Sequence, residues 1–188
     1  QESIEQKYWP QIKVGYYNGA CLLVLGEEDK LKAWKKQPFD SELKALEEEL
    51  KLRLSKGCVA YKFEERSLQL SIEGEMTQTE SQLVYEMKGI RVWCSSHSMD
   101  IVVYREVSKL QVIEDPERTL CIGDYGTVEG NDYEMLTSKY SLSVDRVSKN
   151  AESCWNIVPS GMKGLDATLY YISRMKANEG KITCKFSV

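Results

Sequence analysis

The stretch "RVWCSSHSMDIVVYREVSK", residues 91–109, decides how this chain is read. A strand-like run reaches Cys94, crosses a short polar patch and starts a second run on an apolar–polar beat, the period of a strand with one wet face. Cys94 in that setting is a reactive thiol, a metal ligand together with His97, or a disulfide anchor where one module gives way to the next. Each choice implies a different protein.

Working outward, the same period of two runs through "VAYKF", "SLQLSIEGE", "QLVYEMKGIRVWC", "MDIVVYREV" and "KLQVIED", which predicts strands of a sheet half exposed to water. Towards the start, residues 11–26 place two apolar runs on either side of Asn18-Gly19, the pattern of a hairpin. The charged segment that follows contains Pro38 and predicts an exposed connection over residues 26–42. Leu43, Leu46, Leu50 and Leu54, at spacings of three and four, predict an amphipathic helix over 41–55 lying on a sheet. Asp40 or Ser41 is its cap, and Gly57 stands where it should stop. Towards the end, "GDYGTVEGNDYEML" is turn-rich and "YSLSVDRV" is a strand. "DATLYYISRMKA" and "ITCKFSV" read as two closing strands joined by a tight turn at "NEGK". The second half therefore reads as nearly all β, at sandwich spacing.

Bulk composition narrows the function. With 188 residues, 42% hydrophobic and 29% charged, the chain suits one larger domain or two small ones. A net charge of −4 and an isoelectric point near 5.3 oppose nucleic-acid binding, which rests on a basic surface. No apolar run approaches the roughly 18 residues that span a bilayer. The polar opening "QESIEQKYWP" shows no signal peptide, as expected of a mature or excised chain. A single histidine excludes any site built from several imidazoles. Cys94 and His97 have no second clustered pair to complete a zinc site, and there is no C-x-x-C, phosphate loop or G-x-S-x-G. The residues predict a protein that is not an enzyme and holds no cofactor or metal. The runs "GEED" and "ALEEEL" read as solvated faces. Six cysteines fit buried thiols or, better, a disulfide frame in a secreted protein, with 15 pairings to choose from. No N-x-[S/T] acceptor for an N-glycan occurs.

"CSSHSMDIVVYRE" resembles the opening of a ZP-N domain, the Ig-like module of egg-coat and related extracellular proteins. The resemblance continues through "LCIGDYG" and "SCWN" to "LDATLYYISRMKANEGKITCKF", with Met99 and Tyr171 at the expected places. It implies Cys94 paired with Cys184 and Cys121 with Cys154. Residues 1–92 look like a second, diverged ZP-N copy that retains Cys21 and Cys58, which would pair with each other. The implied architecture is mainly β: two tandem Ig-like (ZP-N) sandwiches, 1–92 and 93–188, the first with the helix at about 41–55 inserted. A disulfide closing a loop of about 90 residues would contribute several kcal/mol, and His97 would be incidental.

Such tandem modules imply a secreted structural and recognition fragment of the egg extracellular coat (zona pellucida or vitelline envelope). Its parent would be membrane-anchored before processing. Implied partners are other ZP-module coat proteins and the sperm surface, with homo-oligomers left open. In the family an astacin-type metalloprotease (ovastacin) cuts a loop after fertilisation and prefers an acid after the scissile bond. "KKQPFDSEL" then implies cleavage between Phe39 and Asp40, a step in the block to polyspermy; from the residues alone, Asp40 is a plain helix cap. A species-restricted invertebrate coat receptor, a secreted lipocalin-like carrier of a small apolar ligand and an enzyme of unrecognised type are the competing expectations.

Overall fold

The computed structural model describes residues 4–35, 39–54, 61–66, 69–95, 98–103 and 107–186. The chain divides into two units, Gln1–Val112 and Ile113–Val188. The first contains β1 (Lys13–Tyr16), β2 (Cys21–Val24), α1 (Glu28–Lys35), α2 (Ser41–Leu54), β3 (Lys62–Arg66), β4 (Gln69–Glu73), α3 (Gln78–Tyr85), β5 (Arg91–Cys94) and β6 (Ser98–Val102). The second contains β7 (Cys121–Tyr125), α4 (Tyr133–Leu136), β8 (Ser141–Arg146), α5 (Gly164–Arg174), β9 (Met175–Asn178) and β10 (Lys181–Cys184).

In the first unit the leucine stripe builds the helix it predicts. Leu43, Leu46, Leu50 and Leu54 turn one face of α2 onto Leu70, Ile72, Met99 and Ile101 of an antiparallel sheet ordered β3-β4-β6-β5. Asp40 starts the helix: its Oδ1 accepts from the backbone N–H of Glu42 at 2.8 Å and of Leu43 at 3.2 Å, which satisfies two of the orphan donors at the helix N-terminus. The β1–β2 hairpin forms about Asn18 and Gly19, with Tyr16 opposite Cys21.

Two expectations differ from the structure of this unit. The charged segment forms α1 over Glu28–Lys35 rather than a bare connection. "QLVYEM" lies largely in a helix rather than a strand, because Thr77 and Glu80 make a capping box. The Thr77 hydroxyl accepts from Glu80 N–H, and the Glu80 carboxylate accepts from Thr77 N–H. That nucleus outweighs the β-branched character of Val84, which α3 buries completely. The two compact units meet in the chain between Val112 and Ile113. β5 and β6 pair with each other, and β6 pairs with β4 through Leu70↔Ile101, so both belong to the first unit's sheet.

Tyr61 packs against this core, and burial first, then the adjacent Glu80 carboxylate, pushes its phenol up to about 12. A group whose folded pKa is raised contributes stability that is complete below its unfolded value, 10.0, and is lost as pH rises through the folded one. Thermal melts between pH 9 and pH 12 are therefore expected to fall more steeply for the native protein than for Tyr61→Phe.

The second unit departs furthest from expectation. β7 and β8 pair in parallel, Cys121↔Ser141 and Ile122↔Leu142, with α4 between them in the chain, and Leu142 makes a further parallel bridge to Trp155. An Ig-like sandwich pairs its strands antiparallel; a parallel pair joined through a helix is an α/β arrangement. Residues 166–174, predicted as strand, lie in α5. Ala167 and Tyr171, four apart, are its buried side and pack on Leu142 and Val144. The Tyr171 hydroxyl donates to the Ser143 carbonyl and accepts from Ile157 N–H, both at 3.0 Å, so a helix position carries the load expected of a strand tyrosine. The closing hairpin is present as β9–β10, with the turn at Glu179-Gly180 in left-handed backbone. The fold is thus mixed helix and strand rather than mainly β.

Candidate functional site

In open α/β sheets, ligands collect outside the carboxyl ends of the parallel strands, where successive loops diverge. In the second unit that edge is the end of β7, "GDY", and of β8, "DR". The register slips between Gly123 and Tyr125, a bulge that sets Asp124 apart from the ladder and leaves it exposed. Asp132, 5% exposed, fixes the loop: its Oδ2 accepts from Asp124 N–H at 2.8 Å and from Tyr125 N–H at 3.3 Å. Two glycines permit this wrapping. A Cβ on Gly123 would sit 2.6 Å from Asp132 Oδ2, and one on Gly130 would sit 2.0 Å from the Tyr125 carbonyl oxygen.

Across the edge, Tyr125 is the register partner of Arg146. The Arg146 guanidinium carbon lies over the Tyr125 ring, 4.1 Å from its centre; the residue is exposed, with no carboxylate on it among the described residues. At the preceding residue of β8 the Lys163 ammonium donates to Asp145 Oδ1 at 2.7 Å, while Asn156 donates to the Asp145 carbonyl at 3.1 Å. The carboxyl ends of the two strands therefore carry one arginine on a tyrosine ring and, separately, a lysine–aspartate ion pair. Among the described residues no group of three or more His, Cys, Asp and Glu side chains is placed to hold a metal ion.

The residues singled out from sequence lie elsewhere or contribute differently. Cys94 is on β5 of the first unit, its sulfur 2.8 Å from the Tyr85 hydroxyl oxygen, whereas Cys184 is on β10 of the second. Cys121 and Cys154 come together in one buried cluster with Leu136, as free thiols. Cys21 is a buried free thiol. Burial raises the Cys21 and Cys121 thiols, which keeps both protonated and poorly nucleophilic. Cys58 and His97 lie outside the described residues. Phe39 is half-buried against the first unit's core, and Asp40 is engaged as the cap of α2. Sequence reading passed over Asp132, Tyr125 and Arg146. The signal that could have found the first two is the cluster of three glycines and three acids in "GDYGTVEGND".

No protein-family model matches the chain, and no curated protein sequence matches it. Among solved structures it is similar to a trehalose-6-phosphate phosphatase from Aspergillus fumigatus, with a TM-score of 0.37 and 14% identity over 85% of this chain. The match spans 66% of that protein's chain. A likeness at that level fixes neither fold nor activity.

Proposed function

We propose that the second unit is a binding module that takes a small anionic, polar ligand at the carboxyl ends of β7 and β8. The single observation that carries this is Arg146: an exposed arginine whose guanidinium lies over the Tyr125 ring, with no carboxylate on it among the described residues. Such a group is pre-organised for planar, charge-assisted recognition of an anion. At the end of the same strand Lys163 is paired with Asp145, so Arg146 is the cation left for an anion. Titration with inorganic phosphate, followed by amide NMR shifts, tests it. Saturable shifts at residues 123–126 and 145–147 are expected, lost in Arg146→Ala. Shifts that persist unchanged in that variant, or none at all, exclude the site.

A second function has its own support. The ZP-N resemblance implies a Cys121–Cys154 disulfide, and those two side chains share one buried cluster. On that basis the chain is proposed as a secreted recognition fragment of an egg coat, with other coat proteins and the sperm surface as partners. The Cys94–Cys184 pairing and cleavage at Phe39–Asp40 belong to the same proposal. Cleavage there would remove the chain entering α2 at its cap. Mass mapping of the non-reduced protein is expected to show Cys121 linked to Cys154 and Cys94 to Cys184. Free thiols at all four would remove this reading and leave the first.

A further inference from the structure

One face of the first unit's sheet is apolar and meets α2; the other carries a buried polar row. Gln69, Ser71 and Asp100 are 2%, 0% and 7% exposed. Ser71 and Asp100 are register partners on β4 and β6. Gln69 Nε2 donates to Ser71 Oγ at 2.9 Å, Ser71 Oγ donates to Asp100 Oδ1 at 2.8 Å, and Ser98 Oγ donates to the same oxygen at 3.1 Å. Among the described residues only neutral donors reach this carboxylate, an unusual setting for a buried charge.

Two acceptors in the row, Gln69 Oε1 and Asp100 Oδ2, are both served by one nitrogen from outside the sheet. Asn18 Nδ2, at the tip of the β1–β2 hairpin, donates to them at 3.0 and 3.2 Å. The tip reaches this position in uncommon backbone: Tyr17 and Asn18 are both left-handed, with φ of 53° and 55°. Beside them, Gly19 (φ 96°) approaches so closely that a Cβ there would sit 2.2 Å from the Ser108 carbonyl oxygen. Asparagine takes the left-handed region readily, but a tyrosine there persists only where the surroundings hold it, and such strain gathers at clamps and switch segments.

We propose that the Gln69–Ser71–Asp100 row is a binding slot for a small neutral ligand with carboxamide or hydroxyl donors, and that the Asn18 carboxamide is the built-in occupant that keeps it closed. The ligand class follows from the occupant. A single neutral –NH₂ meets both acceptors, so a primary amide or a pair of hydroxyls can replace it and leave every buried polar group partnered. Relief of the left-handed tip would offset part of the loss when Asn18 withdraws. The hairpin is then a lid hinged at β1 and β2, and the slot is separate from the anion site proposed for the second unit.

The test is Asn18→Gly, which retains the left-handed tip but removes the carboxamide, titrated with acetamide and followed by NMR. Saturable shifts of the Gln69 side-chain amide and of residues 98–102 are expected in the variant. The native protein should bind at least tenfold more weakly. Asn18→Ser, whose side chain is too short to bridge both acceptors, replaces it if the glycine variant does not fold. Equal shifts in native and variant proteins, or none in a variant whose amide spectrum shows the hairpin intact, would overturn the proposal.

Discussion

Replacing Leu50 by alanine is expected to lower stability by about 2–5 kcal/mol, the range for removing a fully buried leucine. Leu50 is 0% exposed and sits at the middle of the α2 stripe, in one cluster with Leu43, Leu46, Leu54, Leu70 and Ile72. Its loss combines the transfer free energy of the removed methyl groups with that of a cavity between a helix and a sheet that can close only partly. Leu52, on the same helix and 73% exposed, is the control: Leu52→Ala should fall within about 0.5 kcal/mol of the native protein. Urea unfolding measures both, and hydrogen exchange places the effect. Amides of β4 and β6 should lose protection in Leu50→Ala and keep it in Leu52→Ala. Equal effects from the two would mean that the stripe is not the core of this unit.

Asp132→Ala is the second large effect, expected at about 2–4 kcal/mol, because two backbone donors lose a charged acceptor in a site with little water. The Asp132 carboxylate bonds Asp124 N–H and Tyr125 N–H and so holds the bulged end of β7 in register with β8. The phosphate-induced shifts at residues 123–126 should disappear together with the stability. Asp132→Asn keeps a neutral acceptor in place and is expected to recover part of the stability, since a hydrogen bond to a charged group is worth roughly twice a neutral one. If Asp132→Ala melts like the native protein, the loop is held by something other than these two bonds.

Several elements were legible because their signals are local. The leucines of α2 repeat at helical spacing and have Asp40 ahead of them as cap. Asn18-Gly19 marks the first hairpin, and the glycine after Glu179 marks the last. The alternation in β4 and β6 divides Leu70, Ile72, Met99 and Ile101 from Gln69, Ser71 and Asp100. Two helices were misread because their residues serve either period. "LYYIS" is aromatic and β-branched, yet Tyr171 fits α5 once its hydroxyl can reach Ser143 and Ile157. α3 was signalled by Thr77 and Glu80, a capping box outweighed by the apolar run after it.

The sequence by itself determined which faces are apolar, where the chain turns and which residues cap α2, since these depend on neighbours within a few positions. It also determined the acidic charge and the single histidine that limit the chemistry. Only the tertiary structure decided that β7 and β8 run parallel, that β5 and β6 close the first unit's sheet, and that Arg146 lies on Tyr125. Strand period reports which side of a strand is buried, not the direction or identity of its partner. Pairing is selected by how well whole faces fit, and residues far apart in sequence, such as Asn18 and Asp100, become neighbours only when that fit is made.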